Sequence, residues 1–99
     1  MKPTPPPLEE IIRQIQAHRK ELARLGARHI DIFGSCSRSE QGPGSNIDLI
    51  VHLEPGFGYF DLGEMKSILD DEFKIDVNPV LESGIPENHS IRKGVVRAF

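Results

Sequence analysis

The sequence predicts an α+β fold, a small mixed β-sheet flanked by helices, with its elements in the order α-β-β-α-β-α. Three observations lead there. Apolar residues recur at helical spacing in two stretches, 8–26 and 59–74. Three short stretches, 28–33, 46–54 and 75–80, alternate apolar with polar residues as half-buried strands do. Segments rich in Gly, Pro and Ser separate them. With 99 residues, the expected organisation is one domain, 1–99, with a stiff proline-rich leader over residues 1–7. A chain of this size buries roughly 60–70% of its unfolded surface, enough for one core.

The first helix follows from Leu8, Ile11, Ile12, Ile15, Leu22 and Leu25. Prolines precede it, Glu9 and Glu10 occupy its first turn and Gly26 closes it, in keeping with helix start and stop preferences. "RHIDIF" (28–33) sets Ile30 and Ile32 against His29, Asp31 and Phe33. Residues 34–45 hold three Gly, one Pro and four Ser, which is loop composition. "NIDLIVHLE" (46–54) places Ile47, Leu49, Val51 and Leu53 on one face and Asn46, Asp48, Ile50 and His52 on the other. After the "PGFG" break, Phe60, Met65, Ile68, Leu69 and Phe73 form a helical stripe with Leu62 beside it, weakened slightly by Gly63. "IDVNPV" (75–80) alternates again, and "HSIRKGVVRAF" is expected to form a short final helix.

Composition narrows the function. The net charge is −3, which argues against direct nucleic-acid binding by bulk electrostatics, since such domains are usually basic. Nucleotides held by a metal and a few local donors stay open. The single cysteine, Cys36, forbids an internal disulfide and fits a reducing cytoplasm. No apolar run approaches the roughly 18 residues of a membrane span, and "MKPTPPPLEE" lacks the apolar segment of a signal peptide.

Side chains two apart on a strand point the same way, so Asn46 and Asp48 share a face. If the strand carrying Asp76 lies alongside, three oxygen-bearing side chains converge. Hard cations such as Mg²⁺ take such ligands, usually one or two carboxylates together with substrate phosphates. The loop before them opens with Gly34-Ser35, where glycine permits close backbone approach and a hydroxyl with turn N–H groups suits a phosphate. Arg38 adds a cation of bidentate geometry. Singly, each feature is ordinary: a Gly-Ser turn is usually a turn and a strand aspartate is usually solvated. Cys36 has no histidine in its loop and is read as inert. His18, His29, His52 and His89 show no metal-ligand spacing and are read as surface or strand-edge residues. Asp70, Asp71 and Glu72 are read as the solvated end of a helix. Only the joint pattern points to metal-assisted phosphoryl or nucleotidyl transfer.

That joint pattern resembles a known family. Gly34-Ser35, ten intervening residues and then Asn46-x-Asp48 is similar to the signature of the nucleotidyltransferase fold of the DNA polymerase beta superfamily, where Asp-x-Asp follows Gly-Ser at this interval. The resemblance is closest to the minimal nucleotidyltransferases and runs from "IDIFGS" through "IDLIV" to "KIDV". Arg38 matches the Arg that commonly follows the Gly-Ser pair, and Asp76 matches the third carboxylate. The resemblance implies NTP, most simply ATP, as substrate, held by Gly34, Ser35 and Arg38. It also implies Mg²⁺ held by positions 46, 48 and 76, with Asp48 and Asp76 catalytic. Asn46 departs from the family's Asp: an amide oxygen still coordinates but brings no charge. If the exchange weakens metal assistance by about 3–4 kcal/mol, the rate falls roughly 10²–10³-fold. The chain has no room for the acceptor-binding helical domain of larger relatives, so the acceptor is expected on another chain. The resemblance implies a helical HEPN-type toxin partner, with this chain as antitoxin. Neutralisation would come either from transfer of a nucleoside monophosphate to the partner or, with the site weakened at Asn46, from binding alone.

Overall fold

The computed structural model describes residues 2–99. Its elements are α1 (Leu8–Ala17), α2 (Arg19–Arg24), β1 (Ala27–Phe33), β2 (Ile47–Leu53), α3 (Tyr59–Phe73), β3 (Val77–Leu81) and β4 (Val96–Arg97). The strands form one mixed sheet in the order β3-β2-β1-β4. β1 is antiparallel to both β2 and β4, and β2 runs parallel to β3. The α+β class and mixed sheet expected from the sequence are therefore present. Among the described residues no helix is long and apolar enough to cross a membrane.

One face of the sheet carries the core. Ile30 and Ile32 of β1, Ile47, Leu49 and Val51 of β2, and Val77 of β3 pack with Ile11 and Ile15 of α1, Leu22 of α2 and Met65, Leu69 and Phe73 of α3. Period-2 strands and period-3.6 helices thus aim their apolar residues at one another. Gly26, at φ +96°, lets the chain turn from α2 into β1; a Cβ there would lie 2.3 Å from the Phe57 ring.

The departures from expectation trace to contacts between residues far apart in the chain. The first predicted helix is broken at His18, whose Nε2 bonds Glu72 Oε1 at 2.6 Å and whose Nδ1 bonds Glu21 Oε1 at 3.0 Å. The bond to Glu72 raises the His18 pKa, burial opposes it and Glu21 assists. The predicted final helix is absent. Ser90–Arg92 makes one 3₁₀ turn, Gly94 takes φ +70°, and Val96–Arg97 pairs with Asp31 and Ile32 on the outer edge of β1. Adjacent β-branched Val95 and Val96 after a left-handed glycine favour a strand, and β1 offers an open edge to pair with. Phe60, expected in the helical stripe, is 83% exposed. The proline-rich leader packs on the body: Pro5 is buried, Pro3 O accepts from the Gly44 N–H at 3.0 Å, and Pro6 O accepts from Gln41 Nε2 at 2.6 Å.

On the other face of the sheet Asp31 is the one buried charged residue among those described. It accepts from Arg97 Nε at 2.9 Å and meets His52 Nε2 at 2.8 Å. Burial pushes its carboxyl up, but the bonds from Arg97 and His52 outweigh this and hold it below its ordinary value. A carboxyl depressed in the folded state adds stability that is present above its unfolded pKa of about 4 and is lost as pH falls through the folded value. Asp31→Asn is expected to cost about 1–3 kcal/mol near neutrality and to flatten the acid limb of the stability curve. Urea unfolding across the range from about pH 7 down to about pH 3 checks both.

Candidate active site

The site is built where β1 ends and β2 begins. The antiparallel register sets Phe33 opposite Asp48, so the turn leaving β1 falls against the Asp48 carboxylate. Gly34 takes φ +74°, and a Cβ on it would lie 2.7 Å from Asp48 Oδ2. Only glycine adopts this conformation at this approach without strain. The turn is then closed by its own backbone. Ser37 N–H and Oγ donate to Gly34 O at 3.2 and 2.7 Å, and Arg38 and Glu40 N–H donate to Ser35 O at 3.2 and 2.9 Å. Cys36 is buried beneath it, its Sγ 3.5 Å from Asn46 O. Burial first, and the charge of Asp48 second, push its thiol up, while a hydrogen bond with Ser35 works the other way. A thiol so placed is a poor nucleophile.

The parallel register of β2 and β3 supplies the third position. Ile47 pairs with Val77 and Asp48 with Asn78, and Ile47 N–H donates to Asp76 O at 3.3 Å. Asn46 and Asp76 are therefore backbone neighbours, each one residue before its strand, and continued alternation would put both on the face of Asp48. Asp48 is half-buried and its Oδ1 accepts from Asn78 Nδ2 at 3.0 Å. Asp76 and Asn46 are exposed. Asp76 stands between two open pockets of about 280 Å³ each. One also takes in Lys66 and Asn78, the other Lys2, Ser45, Asn46 and Lys74.

Two residues of the site were not singled out from the sequence. Lys66 of α3 reaches over β3: its Nζ lies 2.7 Å from Asp76 Oδ1 and 3.0 Å from Asp70 Oδ2, and donates to Val77 O at 2.7 Å. Burial pulls the Lys66 ammonium down, but the bonds to Asp76 and Asp70 outweigh this and hold it above its ordinary value. Asn78, two residues beyond Asp76 on the same strand face, was open to discovery by the argument that paired Asn46 with Asp48. Asp70, expected to be a solvated helix end, instead accepts the Val77 N–H at 2.8 Å and joins α3 to β3. Arg38 is not brought to the carboxylates: it is exposed and its Nε donates to Glu40 Oε1 at 2.5 Å.

The donors fit a hard divalent cation in kind, being two carboxylates and an amide oxygen at adjoining strand starts. The fit is one charge short of three carboxylates. Among the described residues, no three His, Cys, Asp or Glu side chains are grouped to hold a metal ion. Position 46 carries an amide, and Asp76 is bonded to Lys66.

Comparison with known proteins settles the family. A sequence profile described as a nucleotidyltransferase domain matches residues 12–98. The chain belongs to that nucleotidyltransferase family. It is 34% identical over 91 residues to the protein adenylyltransferase MntA of Thermococcus cleftensis, covering 91% of this chain and 90% of that one. A Methanocaldococcus jannaschii relative, also bearing a protein adenylyltransferase name, is 30% identical over 89 residues, covering 89% and 90%. Among solved structures, one assigned to the minimal nucleotidyltransferases superposes with TM-score 0.79 at 27% identity, covering 92% of this chain and 95% of that chain. The crystal structure of a toxin–antitoxin with AMP-PNP shares the fold, with TM-score 0.69 at 19% identity over 89% of this chain and 72% of that one.

The contact between Gly34 and Asp48 generates a test. Gly34→Ala must carry a Cβ at positive φ into the carboxylate, which is expected to cost about 1–3 kcal/mol. A shift in the urea midpoint without a change in slope reports that cost.

Proposed function

We propose that the chain transfers a nucleoside monophosphate from an NTP, with ATP the first choice, to a hydroxyl group of a partner protein, and that this neutralises a toxin. The observation that carries the reading is the glycine turn pressed against Asp48: backbone able to approach a polyphosphate lies beside a carboxylate of the metal-ligand type. Support for the adenylyl group and the protein acceptor comes from the protein adenylyltransferase names that the relatives bear. Support for a toxin partner comes from the toxin–antitoxin structure that shares the fold. A helical HEPN-type partner remains the expectation drawn from the family resemblance.

In this reading Asn46, Asp48 and Asp76 hold Mg²⁺, which when bound supplies charge neutralisation to the triphosphate. Gly34 and Ser35 bind the polyphosphate through the turn. Asn78 fixes the rotamer of Asp48 through its bond to Oδ1. Asp76, exposed at the cleft, accepts the proton of the attacking hydroxyl. The new bond joins that oxygen to the α-phosphorus, the bond from the α-phosphorus to the bridging oxygen breaks, and pyrophosphate leaves. Arg38 would have to exchange Glu40 for phosphate to contribute.

A second reading rests on Asn46 and on the salt bridge that occupies Asp76: the domain neutralises its partner by covering it, with transfer weak or lost. One experiment separates the two. The chain is incubated with α-labelled ATP, Mg²⁺ and a helical toxin partner. Transfer predicts label on the partner, a roughly 10²–10³-fold faster rate in Asn46→Asp, and none in Asp48→Ala. Neutralisation that survives Asp48→Ala, with no label from any variant, establishes masking instead.

A further inference from the structure

The geometry points to Lys66 as a built-in competitor of the divalent ion, and this inference rests on the reading above that Asp76 is one of the ion's ligands. The Lys66 ammonium has three partners: Asp76 Oδ1 at 2.7 Å, Asp70 Oδ2 at 3.0 Å and Val77 O at 2.7 Å. They differ in how firmly they are held. Asp70 is fixed from below, because its Oδ1 accepts the Val77 N–H at 2.8 Å, and Val77 O belongs to β3. The Asp76 side chain is 65% exposed and carries no other bond among those found for the described residues. Lys66 can therefore release Asp76 while keeping two anchored acceptors, and Asp76 is the member free to turn.

We propose that Lys66 is a positioning residue that holds Asp76 in a salt bridge until a divalent ion displaces it, and so sets the affinity of the site for that ion. The charge arithmetic agrees. With an amide at position 46, Asp48, Asp76 and Asp70 bring three negative charges, and Lys66, bonded to the last two, offsets one of them. An incoming dication must displace one ammonium bond and then stay near its positive charge, both of which oppose binding.

The test is calorimetric titration of Mn²⁺ alone into the full chain and into Lys66→Met, Asp76→Asn and the double variant. Lys66→Met keeps all but the last atom of the side chain's length and removes its charge. It is expected to bind Mn²⁺ about tenfold more tightly. Asp76→Asn should bind more weakly than the parent chain, and the double variant should match Asp76→Asn, because Lys66 acts through Asp76. Unchanged or weaker binding in folded Lys66→Met overturns the proposal, as does a tightening that persists in the double variant. Lys66→Gln serves in the same comparison if the Met variant does not fold. Mn²⁺ binding that is insensitive to Lys66 overturns this inference alone. Failure of every form to bind Mn²⁺, Asn46→Asp included, overturns it together with the metal-site reading.

Discussion

The approach of Gly34 to Asp48 is the constraint around which the molecule is arranged. Position 34 must lack a side chain, because its backbone is left-handed and a Cβ would fall 2.7 Å from the carboxylate. That approach exists only because the antiparallel register puts Phe33 opposite Asp48. The register in turn is set by the apolar face: slipping β2 by one residue would turn Ile47, Leu49 and Val51 out of the core and Asp48 into it. Core packing and site geometry are thus two readings of one alignment. A sheet that buries its isoleucines correctly has no choice about where its aspartate points.

The second face of the sheet shows how a small domain keeps polar groups near its centre. Asp31 and Ile50 are paired in register and both are buried, yet Ile50 lies outside the main core cluster. The Asp31 carboxylate is tolerable there because Arg97 and His52 both bond it; a buried charge without partners would be costly. The short strand β4 exists partly to deliver Arg97. Backbone bonds between Ile30 and Ala98 at 2.8 Å, and between Ile30 and Phe99 at 3.2 Å, extend that delivery beyond the two paired residues.

Much of this was legible in the sequence wherever the physics was local. The alternation in 46–54 and 28–33, and the stripe of Met65, Leu69 and Phe73, each state a face within one element. That positions 46 and 48 share a face follows from strand geometry, whereas the nearness of Asp76 depends on β3 lying beside β2, which local pattern leaves open. What escaped depends on a neighbour the local pattern does not name. β4 is two paired residues with no period of its own, and only the open edge of β1 makes it a strand. Phe60 is expected in the helical stripe, but at about 3.6 residues per turn it falls opposite Leu69, and it is 83% exposed while Leu62 in the same turn is buried. Lys66 and Asp76 are ten residues apart with a turn between them, so their bond depends on how α3 returns to β3.

The leader carries a practical consequence. Pro5 is buried, Pro3 and Pro6 lend their carbonyls to the loop ahead of β2, and Lys2 lines the same pocket as Asn46 and Asp76. At the other extremity Ala98 is buried and the Phe99 ring faces Arg19, with the guanidinium carbon 5.0 Å from the ring centroid. A purification handle fused at the front would therefore crowd the cleft, and one fused at the back would pry at the sheet edge. An epitope grafted into the exposed Pro55-Gly56 turn, at the far end of β2 from Asn46, leaves both regions as they are.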